Sequence, residues 1–332
     1  MPSLLCERLR PYEYIVMSDA IEINGTIVPP KTRQRIELPV ARLPTQTMLS
    51  LPVTVVNGRE NGPKLWLSAA LHGDEINGVE IIRQVLQRIS PETLVGTAIA
   101  VPIVNVFGFI EQSRYLPDRR DLNRCFPGSP RGSLASRLAH LFMQEIVSRS
   151  THGIDLHTAS YPRTNLPQIR ANLDDRETYR CAEAFGAPVA IHSTMRDGSL
   201  RQAASHLGIP ILLYEAGETL RFDRRAIQIG VTGILRVMKC LGMYAGEVPD
   251  PPPISVVQTT QWIRSPRGGI LHLEIELGQT VEKKQRIGVI VDPFGEKTVK
   301  ILSPEAGLII GCTQNPLVNQ GDGIVHLALS PS

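Results

Sequence analysis

The chain of 332 residues lacks the features of disulfide-stabilised, membrane-spanning and nucleic-acid-binding proteins. Its five cysteines lie far apart, are odd in number and form no CxxC pair, so we expect neither a disulfide framework nor a cysteine zinc site. No apolar run approaches the length of a membrane span. The net charge is only +3 and no block of Lys and Arg stands out, so we expect no nucleic-acid partner.

The first residues, MPSLLCERLRPYEY, also lack the apolar core of a secretory signal, because charged side chains interrupt them at once. We therefore expect no signal peptide and no membrane partner, and we predict a cytoplasmic protein. The composition, 42% hydrophobic and 20% charged, is that of an ordinary globular protein. The length suits two domains, or one large domain with an appendage.

From about residue 51, short apolar runs alternate with helical stretches. The apolar runs are LPVTVV, KLWLSAAL, TAIAVPIV, GIDLH, APVAIHS and IPILLYEAG. Apolar runs bounded by turns are typical of strands covered on both faces, and their alternation with helices indicates an α/β domain. We predict a mixed, mostly parallel sheet flanked by helices, with ligands bound at the carboxyl ends of its strands.

We predict three parts along the chain: an N-terminal extension of irregular and strand structure over residues 1–50, an α/β domain over 51–247, and a β domain over 255–330. The four prolines of GEVPDPPPISV form a stiff linker before the last part. Within that part SPRGG is echoed by SPEAG, and VEKKQRIGVI by VNQGDGIVHL. This weak repeat predicts a small barrel-sandwich that resembles the biotinyl/lipoyl carrier fold.

A carrier role for the β domain would place the cofactor on Lys297, in FGEKTV. The residues around this lysine do not match the short motif that carrier families set in a tight hairpin. The alternative is a structural lid or an oligomerisation module, with a homo-oligomer as one option.

The stretch LHGDEINGVE sets a histidine and two acids directly after the predicted strand KLWLSAAL. In a turn that leads into a helix, positions i and i+3 face the same side, so His72 and Glu75 can converge on a metal ion. Catalytic zinc takes three protein ligands, His₂Glu being one standard set, and keeps one position open. His157, at the end of the run GIDLH, is the candidate third ligand. Each of these residues alone is a weak signal, because a histidine at a strand end is commonly a surface residue.

Four motifs, in this order, carry a family resemblance: AALHGDEINGVE, DLNRCFPG, IDLHTAS and LLYEAGE. Together they resemble the succinylglutamate desuccinylase/aspartoacylase family, a branch of the zinc carboxypeptidase superfamily. The resemblance extends over roughly residues 30–330. It implies a zinc-carboxypeptidase-like α/β domain followed by a small β domain, and one zinc ion per chain.

The resemblance also assigns the metal ligands and the base. It implies that His72, Glu75 and His157 bind the zinc ion and that Glu215 is the general base and acid. Glu218 lies three residues further on and is a rival, but the E-x-G pattern of the family matches Glu215.

Asn123 and Arg124 match the Asn-Arg pair that grips a substrate carboxylate in the family. An arginine beside an asparagine suits this task because the guanidinium holds a carboxylate through two parallel hydrogen bonds. Asp121 matches the acid that orients a zinc-binding histidine through its other ring nitrogen.

Two further arginines are candidates for substrate contacts. Arg114 resembles the arginine that polarises the scissile carbonyl; its spacing to the Asn-Arg pair is two residues longer than in aspartoacylase, so Arg119 and Arg120 are competitors. Arg201, with Arg196 on the same loop, is predicted to contact the substrate, and a solvated loop is the alternative.

These assignments predict a zinc-dependent amidohydrolase that removes the acyl group from a small N-acyl amino acid. A zinc carboxypeptidase acting on peptides is the alternative and requires an open cleft for a long substrate. A non-catalytic binding or carrier protein is a third interpretation. It would be expected if a metal ligand or the base were missing, but His72, Glu75, His157 and Glu215 are all present.

Overall fold

The computed structural model of the chain describes residues 18–193 and 196–329. Cys6 and the first residues, for which we expect no signal peptide, lie outside the described residues. The four described cysteines, Cys125, Cys181, Cys240 and Cys312, are free. Within the described ranges no helix is both long and apolar enough to cross a membrane.

The described residues form nineteen strands and six α-helices, with two additional 3-10 turns. The strands are β1 (Ile21–Ile23), β2 (Thr26–Val28), β3 (Thr32–Arg42), β4 (Met48–Asn57), β5 (Glu60–Ala69), β6 (Val95–Val101), β7 (His152–His157), β8 (Arg163–Ala171), β9 (Val189–His192), β10 (Ile211–Gly217), β11 (Ser255–Val257), β12 (Thr260–Arg264), β13 (Gly269–Leu273), β14 (Thr280–Val281), β15 (Arg286–Val291), β16 (Thr298–Leu302), β17 (Gly307–Thr313), β18 (Leu317–Val318) and β19 (Gly323–Leu329). The helices are α1 (Asn77–Arg88), α2 (Val106–Ile110), α3 (Leu134–Glu145), α4 (Arg176–Phe185), α5 (Leu200–His206) and α6 (Arg224–Cys240).

Most strands belong to one mixed sheet with the main order β12-β19-β17-β8-β10-β7-β5-β6-β4-β3. Its centre is parallel, since β6, β5, β7 and β10 pair in the same direction. The predicted apolar runs all fall on strands of this sheet, and the predicted α/β class is confirmed. The carboxyl ends of the central strands therefore meet at one edge.

Helices cover both faces of the central strands. α1, α4 and α6 pack on one face, and α3 and α5 pack on the other. In α1 the buried residues Ile81, Ile82 and Val85 recur at helical spacing, which turns one apolar stripe toward the sheet. Burying one such side chain contributes about 1.5–3 kcal/mol, so these contacts fix where the strand ends lie.

Strand β8 (Arg163–Ala171) was not predicted from the sequence. It contains Pro167 and several polar residues, features that argue against a central strand. It nevertheless lies between β10 and β17, and its residues Arg163, Asn165 and Arg170 line the site described below.

The C-terminal strands are continuous with the main sheet. β17 pairs with β8, and β11 pairs with β9. The remaining strands β16, β15, β13 and β18 form a second, four-stranded sheet. An apolar core that includes Ile287, Ile309 and Leu327 lies within this C-terminal region. The C-terminal strands thereby reach the edge of the α/β region where the site lies.

Candidate active site

Three neighbouring strands bring the candidate metal ligands and the candidate base to one edge of the sheet. β5 ends at Ala69, and the turn that follows it carries His72 and Glu75 before α1 begins. His157 is the last residue of the adjacent strand β7. Glu215 on β10 lies directly beside His157 in the strand register. Glu75 and His157 are 82 residues apart in the sequence, but their side chains are in direct contact in the fold.

The predicted ligands form a compact buried cluster. The Glu75 carboxylate bridges the two histidines, with Oε1 2.7 Å from His72 Nδ1 and Oε2 2.7 Å from His157 Nδ1. The three side chains are each at most 5% exposed. One ligand atom from each residue lies within 4.8 Å of the others, so these atoms can hold one metal ion.

The outer ring nitrogens of both histidines contact carboxylates. Asp121 Oδ1 lies 3.1 Å from His72 Nε2, in the position expected of the orienting acid. Asp155 Oδ2 lies 2.8 Å from His157 Nε2, and the hydroxyl of Ser68 donates to the other oxygen of Asp155 at 2.7 Å. Asp155 was not predicted from the sequence, although it lies two residues before His157 and therefore on the same face of the strand.

The opposite charges of the carboxylates and the histidines determine the directions of the pKa shifts in this cluster. Burial opposes ionisation of Glu75, but the adjacent His72 and His157 outweigh it and lower the pKa of the carboxyl. Burial likewise opposes protonation of His157, yet Asp155 and Glu75 outweigh it and raise its pKa well above 6.5. The pKa of His72 is raised in the same way by Glu75 and Asp121 against its burial. The two histidines of the cluster therefore hold their protons to higher pH than free imidazoles do.

The Asp155→Asn substitution is expected to lower metal affinity by about 10–100-fold, because a neutral amide is a weaker partner for a metal-binding imidazole than a carboxylate. Competitive titration against a chromophoric chelator measures this change. Asp174→Asn is the matched control, since the Asp174 side chain is 83% exposed. Equal metal affinity of Asp155→Asn and wild type would contradict an orienting role for Asp155.

Arg114 lies beside the metal-ligand cluster. Its guanidinium contacts Glu75 Oε1 at 3.3 Å and Asp121 Oδ2 at 2.9 Å. The competitors Arg119 and Arg120 are exposed, and neither lines the cavity described below. The structure thus brings Arg114, and neither competitor, to the metal-ligand cluster.

Asn123 and Arg124 lie on a 3-10 turn that Asp121 caps through the backbone N–H of Asn123. The Asn123 side-chain oxygen accepts a hydrogen bond of 3.0 Å from the backbone N–H of Leu200, the first residue of α5. Both predicted carboxylate-binding residues line the cavity. Arg201 on α5 lines it as well and is bonded to Ser193 at 3.1 Å.

Glu215 faces the same cavity and is held by two groups from β8. Asn165 Nδ2 donates to Glu215 Oε2 at 2.8 Å, and Arg170 Nε lies 3.3 Å from the same oxygen. Glu218 does not line the cavity and instead pairs with Arg221 at 3.1 Å. Asn165 and Arg170 were not predicted because the strand that carries them was not.

One cavity of about 410 Å³ is lined by the three predicted metal ligands and by Arg114, Asn123, Arg124, Asn165, Arg170, Arg201 and Glu215. The C-terminal strands form one wall of the cavity, which contains Thr260 and Trp262 of β12 and His326 of β19. A cavity of this volume suits a small molecule. Lys297 is exposed near the hairpin between β15 and β16 and is not among the described residues that line the cavity.

Comparison with known proteins agrees with this geometry. A family model for the succinylglutamate desuccinylase/aspartoacylase catalytic domain matches residues 61–241. The N-alpha-acetyl-L-2,4-diaminobutyric acid deacetylase of Halomonas elongata is 30% identical over 292 residues, which is 84% of this chain and 85% of that protein. A product-bound structure of an ectoine utilization protein from Ruegeria pomeroyi has 25% identity and a TM-score of 0.81, over 91% of this chain and 97% of that one. A succinylglutamate desuccinylase/aspartoacylase structure from Rhodobacter sphaeroides has 27% identity and a TM-score of 0.79, over 89% and 95% of the two chains.

Proposed function

Because the chain belongs to the succinylglutamate desuccinylase/aspartoacylase family, we propose that it is a zinc-dependent amidohydrolase that removes the acyl group from a small N-acyl amino acid. The observation that carries the proposal is the shared cavity: the buried His72–Glu75–His157 cluster opens onto the same space as Glu215. The names of the relatives support a deacylating hydrolase, and the donor set supports zinc.

The three donors fit zinc by their chemistry. Two imidazole nitrogens and one carboxylate form the His₂Glu set of catalytic zinc sites, and carboxylates on the outer nitrogens are the usual support of such ligands. Nδ1 of His72, Nδ1 of His157 and the Glu75 carboxylate would hold the ion. Lewis-acid activation of water and of the amide carbonyl is the chemistry that a bound zinc ion supplies.

In this mechanism Glu215 moves the proton. Its carboxylate takes a proton from the attacking water and delivers it to the nitrogen of the leaving amine. The hydrogen bond from Asn165 and the ion pair with Arg170 both involve one carboxylate oxygen of Glu215, so the other oxygen is free of these two contacts and faces the substrate. The amide C–N bond breaks as the amine accepts this proton, and the products are a carboxylic acid and a free amino acid.

The remaining polar groups orient the substrate and stabilise charge. Asn123 and Arg124 hold the carboxylate of the amino acid, which positions the amide at the metal-ligand cluster. Arg114, already beside Glu75, stabilises the oxyanion as charge develops on the carbonyl oxygen. Loss of such a donor typically costs about 10²–10³ in rate.

Zinc affinity is expected to rise with pH through and above 6.5. The raised pKa values of His72 and His157 keep protons on the ligands below those values, and zinc must displace them. As the pH falls through the raised pKa values, protons displace zinc from the histidine nitrogens and the zinc affinity falls. Calorimetry in two buffers of different ionisation enthalpy measures the protons released on zinc binding; zero release at pH 6.5 would contradict this linkage.

Amine release from a panel of N-acyl amino acids, with peptides bearing a free C-terminus beside them, tests the proposed reaction. The proposal predicts turnover of at least one N-acetyl or N-succinyl amino acid and none of the longer peptides. The cavity volume of about 410 Å³ and the wall formed by C-terminal strands support this preference. Efficient cleavage of peptides with no turnover of acyl amino acids would favour the carboxypeptidase alternative.

A further inference from the structure

A second group of possible metal donors lies at the opposite end of β7 from the active site. His152 is the first residue of this strand and His157 is the last, so the two lie about 16 Å apart at about 3.3 Å per residue. Glu177 is in the first turn of α4, and Cys181 lies four residues further on, on the same face of the helix. Donor atoms of His152, Glu177 and Cys181 all lie within 4.8 Å of one another. A nitrogen, an oxygen and a sulfur thus converge outside the catalytic cavity.

The chemistry of these three donors suits zinc. Zinc is bound by imidazole nitrogen, carboxylate oxygen and thiolate sulfur, usually with four ligands in a tetrahedral arrangement. Magnesium and calcium prefer oxygen ligands, so the sulfur of Cys181 argues against them. Cys181 is free and only 3% exposed, whereas the Glu177 side chain is 36% exposed. An ion can therefore enter past Glu177 and bind against a shielded thiol.

A small cavity borders two of the donors. Its volume is about 10 Å³, and it is lined by His152, Thr178 and Cys181 together with apolar residues of β5, β7, β10 and α6. This volume is about the minimum that one water molecule needs. The Thr178 hydroxyl already donates to Asp175 at 2.6 Å, so a water molecule would find few polar partners there. The cavity leaves room for one small ion beside the imidazole and the thiol.

The surroundings of His152 can hold its ring in the tautomer that a metal ion needs. Thr151 Oγ1 lies 2.9 Å from His152 Nδ1, and the Thr151 hydroxyl can donate to the Lys64 carbonyl oxygen at 3.1 Å. Thr151 then accepts the Nδ1 proton, and the Nε2 lone pair points at Glu177 Oε1, 3.1 Å away. Two such acceptors repel each other unless a cation lies between them. In the other tautomer Nε2 donates directly to Glu177 and no ion is required.

Arg180 competes with an ion for Glu177. Its guanidinium donates to Glu177 Oε2 through Nε at 2.9 Å and to Oε1 through Nη2 at 2.5 Å. Nη1 donates to the Cys240 carbonyl oxygen at 3.0 Å, which gives the guanidinium another anchor. Both charged side chains are more than one third exposed, so this ion pair is weak in water. An ion can therefore take Oε1 and leave Oε2 to Arg180.

We infer that His152 Nε2, Glu177 Oε1 and the Cys181 thiolate bind a second zinc ion, with water in the fourth position. The S–H bond of Cys181 is replaced by an S–Zn bond, and the proton passes to the solvent. An ion here joins α4 to the amino end of the strand that carries His157 and thereby stabilises the fold. The inference is independent of the proposed deacylase function, since none of the three donors lines the catalytic cavity.

The second site is weaker than the catalytic metal-ligand cluster for two reasons. Burial raises the pKa of the Cys181 thiol to about 12, so zinc must displace a firmly held proton. Arg180 must also yield one oxygen of Glu177. The first equivalent of zinc therefore fills the catalytic cluster, and dialysis against a weak chelator empties the second site.

Cobalt(II) is the probe for this site, because a charge-transfer band in the near ultraviolet reports a cobalt–thiolate bond. The catalytic cluster contains no sulfur and gives no such band. We expect the band when the metal-free full chain is titrated beyond one equivalent of cobalt. Cys181→Ser should lose the band, and Cys312→Ser, which changes another buried free cysteine, should keep it. No band in wild type with excess cobalt, or a band that persists in Cys181→Ser, would overturn the inference.

The His157→Ala variant isolates the second site, because it disables the catalytic cluster. This variant should keep the cobalt–thiolate band without any turnover, which separates the second site from the deacylase function. Excess zinc should displace the cobalt and raise the melting temperature of the variant. Loss of the band in folded His157→Ala would place the sulfur ligand at the catalytic cluster and overturn the inference.

Two further variants test the groups around the donors. Thr151→Val removes the acceptor that fixes His152 and should weaken cobalt binding about 10–100-fold. Arg180→Gln removes the competitor for Glu177 and should strengthen cobalt binding about three- to fivefold, the range of an exposed ion pair. Arg131→Gln is the control, because Arg131 is exposed and is not one of the groups around the second site. Unchanged affinity in both Thr151→Val and Arg180→Gln, with folding judged by melting temperature, would contradict this binding geometry.

Discussion

Replacing Glu215 with glutamine is expected to lower kcat by about 10²–10⁴ while the zinc content of the protein stays unchanged. Glutamine keeps the size of the side chain and can still contact Asn165, but it cannot take and return a proton. Steady-state kinetics on the best acyl amino acid, with metal analysis of the same preparation, measures both quantities. The expected loss is in kcat, since Glu215 is outside the proposed ligand set and lies beside His157 on a separate strand.

Glu218→Gln is the matched control for this experiment. The two acids are three residues apart, but Glu218 pairs with Arg221 and does not line the cavity, so its substitution should change kcat less than about threefold. A large loss in Glu218→Gln with near-normal turnover in Glu215→Gln would reverse the assignment of the base.

Replacing His157 with alanine is expected to abolish stoichiometric zinc binding and, with it, turnover. The substitution removes one of three donors and leaves Glu75 buried beside a single histidine. Loss of a group that only supports a ligand costs about 10–100-fold in metal affinity, and loss of a ligand itself should cost more. Metal analysis after dialysis against a weak chelator measures the result.

His206→Ala is the control for the zinc measurement, because His206 is exposed at the end of α5 and is not a member of the metal-ligand cluster. Wild type and His206→Ala should each retain one zinc ion per chain. One tightly held zinc ion in His157→Ala would contradict the proposed ligand set and point to a different group of donors.

The parts of the fold that the sequence predicts are those encoded locally. The run GIDLH reads as a buried strand because its apolar residues are contiguous, and GVEIIRQVLQRI reads as a helix because Ile81, Ile82 and Val85 recur at helical spacing. His72 and His157 could be identified because each directly follows or ends such a run. Adjacency of parallel strand ends then brings them together.

The parts that could not be predicted depend on pairing between distant segments. β8 contains Pro167 and polar residues, and it is a strand only because β10 and β17 bond to it on either side. Asn165 and Arg163 therefore could not be predicted as site residues. Trp262 and His326 belong to a region separated from the α/β core by a proline-rich linker, and nothing in the local pattern brings them to the cavity.

The most direct test of the proposed zinc-dependent deacylase is a zinc titration of the metal-free protein, followed by amine release from an N-acyl amino acid. We expect no turnover in the chelator-treated protein, a linear rise in turnover on addition of zinc, and a plateau at one zinc ion per chain. Full turnover without zinc, or zinc binding with no turnover of any acyl amino acid, would contradict it.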